Sequence, residues 1–146
     1  MPEGRVMNEH VQPPDLFRSA KLGFTQVVVS PPGRQVWISG QTSCDERGRP
    51  VSGDDLAAQT RQAMANLGRA LASVGAGPGD VTMVRAYVVG LDPERAGWIS
   101  PAVAAFFDGL EPPASTWVGV PSLIHPAFLI EIEAFATLPV VAPPSD

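Results

Sequence analysis

The chain has 146 residues, 45% of them hydrophobic and 17% charged, which is the size and composition of a single globular domain. Its net charge is −5 and its ten cationic side chains are scattered singly, so binding to a nucleic-acid backbone is not expected. Cys44 is the only cysteine, no apolar run reaches membrane-spanning length, and the first residues do not resemble a signal peptide, so we expect a cytoplasmic protein.

Proline-rich, polar ends predict tails at residues 1–15 and 139–146, which leaves one domain over residues 16–138. Two short β-branched runs, at residues 24–29 and 35–39, flank the turn signal PPGR and predict a β-hairpin. A helix should begin near residues 52–54, because its apolar side chains recur on one face at helical spacing. That face comprises Leu56, Thr60, Ala63, Met64, Leu67, Leu71 and Val74.

The second half of the chain continues the alternation of strands and helices. Gly75 and Gly77 end the first helix, residues 81–89 read as a strand, and Asp92 with Pro93 opens a second helix. Residues 116–120 and 128–136 complete the pattern as strands. The order β-β-α-β-α-β-β predicts an α+β fold with one mixed sheet and both helices on a single face. The expected buried stripe of the second helix is Trp98, Ala102, Val103, Phe106 and Phe107.

Such a two-layer fold leaves one face of its sheet bare, although the strands carry apolar side chains on both faces. Oligomerisation would cover the remainder. The alternative is a monomer that exposes a few valines.

Standard catalytic and metal-binding signatures are absent from the sequence. Glu131 and Glu133 share one strand face, and a carboxylate in a partly buried cleft suits general acid or base chemistry. We expect a functional role for one of them, the alternative being two acids on a solvent-exposed edge. Arg85 lies mid-strand, where a structural ion pair is the usual role. Trp117, beside Ser115 and Thr116, is a candidate to line a pocket, although a tryptophan in such a run is more often part of a core.

Several short segments of the sequence resemble the RidA/YjgF family: SGQ, AAQTRQ, AYVVGLD, PPAST and LIEIEAFA. The resemblance covers residues 16–138. It implies a chorismate-mutase-like fold and a homotrimer with a central β-barrel, with three clefts between subunits that bind small carboxylates. It also implies cofactor-free hydrolysis of enamines and imines such as 2-aminoacrylate.

The sequence departs from the family pattern at several residues that the resemblance places in the cleft. Ser115 stands where imine-hydrolysing relatives have a carboxylate-binding arginine, Phe24 replaces a tyrosine, Ser100 replaces an asparagine, and Gly119 replaces a glutamate. Glu131 is retained at the position of the cleft glutamate that positions water. Because the guanidinium fork is missing, efficient hydrolysis of 2-aminoacrylate is not expected.

The sequence therefore predicts a homotrimeric RidA-like protein that acts on a small metabolite, an imine or enamine other than 2-aminoacrylate, without metal or cofactor. Glu131 is the expected catalytic residue. The alternative is a non-catalytic binding or sensing protein of the same fold, and a third, family-derived idea is ribonuclease activity or translation inhibition, which the charge opposes. The expected substrate-binding residues are Ser115, Thr116, Trp117, Phe24, Arg85, Ser100 and Leu123.

Overall fold

The computed structural model describes residues 4–140, and its elements follow the predicted order with one additional strand at the start. Single 3₁₀ turns at Ala20–Leu22 and Pro78–Asp80 lie between the regular elements. In chain order these elements are β1 (Glu9–Val11), β2 (Val27–Val29), β3 (Gly33–Gln41), α1 (Leu56–Ala72), β4 (Val81–Val89), α2 (Pro93–Phe106), β5 (Ala114–Val120) and β6 (Ile130–Pro139).

Four strands form a mixed sheet in the order β3-β6-β4-β5. β6 runs antiparallel to both of its neighbours, whereas β4 and β5 are parallel and are joined through α2. A parallel pair requires such a crossover because the chain must return to the same end of the sheet. The predicted α+β architecture with two helices and a mixed sheet is confirmed, but the mixed sheet has four strands, and β1 and β2 form a second, two-stranded sheet.

Both helices begin at aspartate caps. The Asp55 carboxylate accepts a hydrogen bond from the Ala58 N–H at 3.0 Å, and the Asp92 carboxylate accepts one from the Arg95 N–H at 2.8 Å, with Pro93 in the first turn as predicted. The first helix thus starts a little later than expected. It also ends at Ala72, so Val74 lies beyond the helix and is exposed rather than part of the buried face.

The core lies between the helices and one face of the sheet. Alternate strand residues such as Val84 and Ile132 point toward the helices, where they pack with Leu67, Leu71 and Ile99. The predicted stripe of α2 is wrong at Trp98, whose side chain is 46% exposed. The prediction is confirmed at Val103 and at Phe107, which are buried, and the buried residue that it missed is Ile99, next to Trp98, because two adjacent rows of α2 are both apolar.

The predicted hairpin between residues 24–29 and 35–39 is wrong. β2 pairs antiparallel with β1, from Glu9 opposite Val29 to Val11 opposite Val27, and forms a separate two-stranded sheet. Gly33 does not form a hairpin turn but begins β3 opposite Pro139, where a Cβ atom would overlap the Leu138 carbonyl. The glycine of PPGR is therefore required by the close approach of β3 to β6, and not by a hairpin turn.

The segment that was predicted as an N-terminal tail, residues 1–15, contains β1 and is attached to the domain. Arg5 pairs with the buried Asp80 carboxylate, and the Asn8 amide donates to the carbonyls of Gly79 and Val81 at 3.4 and 3.3 Å. At the other end, β6 extends to Pro139, and residues 141–146 of the predicted C-terminal tail lie outside the described residues.

The second face of the four-stranded sheet carries no helix from the described part of the chain, and its side chains are partly exposed. Trp37 is 74% exposed with its ring against the edge of Phe135, at 5.1 Å between centroids, and Val118 is 42% exposed. We call this surface, which also carries Arg85 and Glu131, the open sheet face. No helix between residues 4 and 140 is long and apolar enough to cross a membrane.

Candidate functional site

A cavity of about 430 Å³ lies between α2, the start of β5 and the segment that leads into β2. Apolar side chains supply most of its wall, and its three hydroxyl-bearing residues are Ser100, Ser115 and Thr116. None of the residues that line it carries a charge. They are Leu22, Gly23, Phe24, Val84, Ala96, Ser100, Val103, Phe107, Pro113, Ser115, Thr116 and Trp117.

Phe24 is brought to this cavity by the residue that follows it. The Thr25 N–H donates to the Pro113 carbonyl at 3.0 Å, and the Thr25 hydroxyl donates to the Pro112 carbonyl at 2.5 Å. These bonds tie the segment before β2 to the segment before β5, so two stretches almost 90 residues apart in sequence meet at the cavity. Thr25 itself is buried, which keeps water away from both bonds.

Ser115 and Ser100 offer different hydrogen-bonding capacity to a ligand. The Ser115 Oγ accepts a hydrogen bond from the Trp117 Nε1–H at 3.0 Å, so its own proton is available to donate. The Ser100 hydroxyl donates to the Ala96 carbonyl at 2.9 Å, so its oxygen is left to accept. The cavity can therefore bind a neutral molecule that has one acceptor and one donor, but it has no group to balance the charge of a carboxylate.

The structure places Glu131 away from this cavity. On β6 it lies opposite Tyr87 of β4, and its neighbours Ile130 and Ile132 are buried under the helices, so Glu131 projects from the open sheet face. A Cβ atom at Gly40 would overlap the Glu131 carboxyl, so this carboxylate occupies the space that the glycine leaves. No side-chain hydrogen bond or ion pair engages the Glu131 carboxylate among residues 4–140.

Arg85 and Glu133 form an ion pair on the same open sheet face. Arg85 Nη1 lies 3.5 Å from Glu133 Oε1, and the guanidinium carbon lies 5.3 Å from the centroid of the Phe135 ring. Within one protomer Arg85 thus supplies no cation to the cavity, and its contacts are those of the structural ion pair that the sequence favoured. Of the two acids, Glu133 is the paired one and Glu131 is the free one within the described part of the chain.

The sequence-predicted site residues lie in three places. The structure brings Phe24, Ser100, Ser115, Thr116 and Trp117 together around one cavity. Glu131 and Arg85 lie on the open sheet face, and Leu123 lies in the loop between β5 and β6. Sequence reasoning predicted Phe24 and Trp117 but missed the rest of the apolar wall, although Val103 and Phe107 were predicted to be buried. The missed residues are Leu22, Gly23, Val84, Ala96, Val103, Phe107 and Pro113.

Tyr87 is the only tyrosine of the chain, and its titration reports on the open sheet face. Its hydroxyl donates to Glu133 Oε1 at 2.7 Å, and this bond raises the pKa of Tyr87 above the ordinary 10.0. The protonated phenol is therefore favoured in the folded protein, and its stabilising effect, complete below pH 10, declines as the pH rises through the raised pKa. We expect the phenolate absorbance at 295 nm to titrate above pH 10.

The controls for this titration are substitutions of the two acidic residues of β6. Glu133→Gln removes the charged acceptor and should bring the Tyr87 midpoint down, whereas Glu131→Gln should leave the midpoint unchanged. An identical midpoint in the wild type and in Glu133→Gln would contradict the proposed cause of the raised pKa.

Comparison with known proteins places this geometry in a family. The family model described as Endoribonuclease L-PSP matches residues 18–138. A conserved Rid-family protein of unknown function from Yersinia pestis has 38% sequence identity and a TM-score of 0.87, over 91% of this chain and 100% of that one. A member of the highly conserved YjgF family from Mycobacterium tuberculosis has 33% identity and a TM-score of 0.60, over 90% and 99% of the two chains.

Proposed function

This chain belongs to the Rid (YjgF) family, and we propose that its cavity holds a small uncharged imine or enamine that the protein hydrolyses. The observation that carries the proposal is the wall of the cavity, which combines apolar residues and three hydroxyl-bearing residues with no charged residue. Pockets for small molecules typically have this composition, in which a few polar groups orient a mostly apolar ligand. A substrate carboxylate would be buried there without a partner.

The second part of the proposal is a homotrimer in which the open sheet faces form a central barrel. Trp37 and Val118 expose apolar surface on this face, and an assembly that buries them is favourable. β5 is an edge strand of the sheet, and the cavity lies at its start, so a neighbouring copy that packs along this edge would border the cavity. In this arrangement we assign Glu131 of the neighbouring copy to the cleft.

In the reaction that we propose, water adds to the imine carbon, the C–N bond breaks, and a carbonyl compound and ammonia leave. Glu131 would transfer one proton from the attacking water to the imine nitrogen, which gives a carbinolamine, and would then transfer the proton of the carbinolamine hydroxyl to the departing amine, so that both water protons end on ammonia and no net proton is consumed. The Ser115 hydroxyl would donate a hydrogen bond to the substrate, and the Ser100 oxygen would accept one from the imine N–H. No metal or cofactor is part of this scheme.

Non-catalytic binding is the second candidate function, and one observation favours it. Among residues 4–140 of a single protomer no ionisable side chain lines the cavity, so this cavity alone can hold a ligand but cannot transfer a proton. The two candidates differ in whether a neighbouring acid reaches the ligand. RNA cleavage, which the name of the family model suggests, is not proposed because a chain with a net charge of −5 is a poor match for the phosphate backbone.

A larger side chain that fills the cavity tests whether the cavity is the substrate site. Ser100 lies on the exposed side of α2 and lines the cavity, so Ser100→Trp should occupy the space without disturbing the core. We expect this variant to lose most ammonia release from neutral imines generated by an amine oxidase, together with ligand-induced thermal stabilisation. The matched control is Ala104→Trp, at an exposed position of the same helix that does not line the cavity.

Three results would each contradict part of the proposal. Equal ammonia release by Ser100→Trp and Ala104→Trp would show that the reaction takes place elsewhere. Light scattering that reports the mass of a single chain would exclude the trimer and, with it, the contribution of a neighbouring Glu131. Thermal stabilisation by a ligand without any product would favour the binding protein over the enzyme.

A further inference from the structure

An apolar rim continues the wall of the cavity outward. Phe24 lines the cavity, and the Phe17 ring packs edge-on against it, with 6.0 Å between the ring centroids and 70° between the planes. Phe17 itself is not part of the cavity wall and is 63% exposed, and Leu22 at the mouth is 67% exposed. Large apolar side chains are thus presented to solvent next to the opening of the proposed substrate site.

Hydrogen bonds hold the backbone of both aromatic residues in place. The Ser19 hydroxyl, which is fully buried, donates to the Phe24 carbonyl at 2.7 Å, and the Gln12 amide donates to the same carbonyl at 3.3 Å. The Gln26 amide donates to the Phe17 carbonyl at 3.1 Å. Exposed rings on a loop that is fixed in this way lose little conformational freedom when they bind a ligand, which favours affinity.

We propose that Phe17 and Phe24 form a second subsite, which selects substrates that carry an aryl or similarly apolar substituent outside the cavity. This inference rests on the proposed function, because the cavity must hold the reacting imine for the substituent to reach the rim. The exposed edge and face of Phe17 suit an aromatic ring, since aromatic pairs prefer edge-to-face or offset contacts. Ser19 is a positioning residue in this subsite, because it acts through the backbone of Phe24.

The test compares two neutral imines that differ only in a phenyl group. An amine oxidase generates one from 2-phenylethylamine and the other from ethylamine, and ammonia release is measured above the spontaneous rate. We expect the wild type to prefer the phenyl-bearing imine, and Phe17→Ala to lower kcat/KM for this imine about tenfold while leaving the ethylamine-derived imine unchanged. Leu16→Ala is the control, at an exposed apolar position of the same loop that does not line the cavity.

Ser19 is tested by its effect on the same preference. Ser19→Ala removes the hydroxyl that holds the Phe24 carbonyl and should reduce the preference for the phenyl-bearing imine. Ser19→Thr keeps a hydroxyl and should restore the preference. A purely structural role for Ser19 would lower the rates for both imines together and would leave their ratio unchanged.

The outcomes separate this inference from the proposed function. Equal kcat/KM values for the two imines in the wild type, or an equal loss of both in Phe17→Ala, would overturn the subsite while hydrolysis stands. If neither imine is hydrolysed, the enzymatic proposal fails, and calorimetry with 2-phenylacetamide and acetamide then tests the subsite.

In this calorimetry, tighter binding of 2-phenylacetamide that is lost in Phe17→Ala supports the subsite, and equal binding of the two amides overturns the subsite. A change in particle mass in Phe17→Ala, without a change in ligand preference, would assign the rim to a protein contact and overturn the subsite.

Discussion

Replacing Glu131 by glutamine is expected to lower the kcat of imine hydrolysis by about 10²-fold or more, with little change in KM. A positioned acid or base typically contributes 10²- to 10⁴-fold to a rate, and glutamine keeps the shape of the side chain but cannot exchange a proton. KM should be maintained because the cavity that holds the substrate is built from other residues. The measurement is steady-state ammonia release from a neutral imine.

Glu133→Gln is the matched control for this prediction. Glu133 lies two residues along β6 on the same open sheet face, but Tyr87 and Arg85 already engage its carboxylate. We expect its replacement to lower the Tyr87 pKa and to leave kcat nearly unchanged. A similar loss of kcat in both variants, or no loss in Glu131→Gln, would remove the proton-transfer role from Glu131.

The order of secondary structure was predictable because hydrophobic periodicity is a local property. The apolar positions of α1, from Leu56 to Leu71, were identified from their spacing, and Pro93 marked the start of α2. The pairing of β1 with β2 was missed because β1 has only three residues and no apolar run. Which strand pairs with which is decided by contacts that are distant in the chain, and the spacing of residues does not record them.

The candidate site shows the same division between local and distant information. Alternation along β6 correctly predicted that Glu131 and Glu133 share a face, because that follows from strand geometry alone. It could not determine whether this face looks toward the cavity or away from it. The cavity forms where Phe24, which precedes β2, meets Ser115 on β5 and Ser100 on α2. Five of the eight expected site residues meet there, and the resemblance to a family, rather than periodicity, pointed to them.

Trp98 illustrates why phase errors arise within a correctly predicted helix. Along α2 the rows 98, 102, 106 and 99, 103, 107 are both apolar, so spacing alone fits either row. The structure buries Ile99 and Val103, together with Phe107 just after the helix, and it leaves Trp98 partly exposed. The choice between the rows depends on how the sheet approaches the helix, which the amino-acid pattern of the helix does not contain.

A substitution of Ser115 by arginine is expected to convert the cavity from neutral to carboxylate-binding. Ser115 lines the cavity, and a guanidinium there could form a bidentate pair with a ligand carboxylate. A hydrogen bond to a charged group contributes about 1.5–3 kcal/mol, so we expect Ser115→Arg to bind pyruvate about 10- to 100-fold more tightly than the wild type. Calorimetry measures this gain, and hydrolysis of 2-aminoacrylate to pyruvate and ammonia should increase in parallel.

The controls for this gain separate charge from size. Ser115→Met introduces a long side chain without a charge and should not improve pyruvate binding, and pyruvamide, the neutral counterpart of pyruvate, should gain nothing in Ser115→Arg. Without ligand the arginine variant should melt at a lower temperature than the wild type, because a cation in an apolar cavity lacks a partner, and pyruvate should reverse part of this loss. Equal pyruvate binding in the arginine and methionine variants would show that the missing guanidinium does not determine which ligands this cavity accepts.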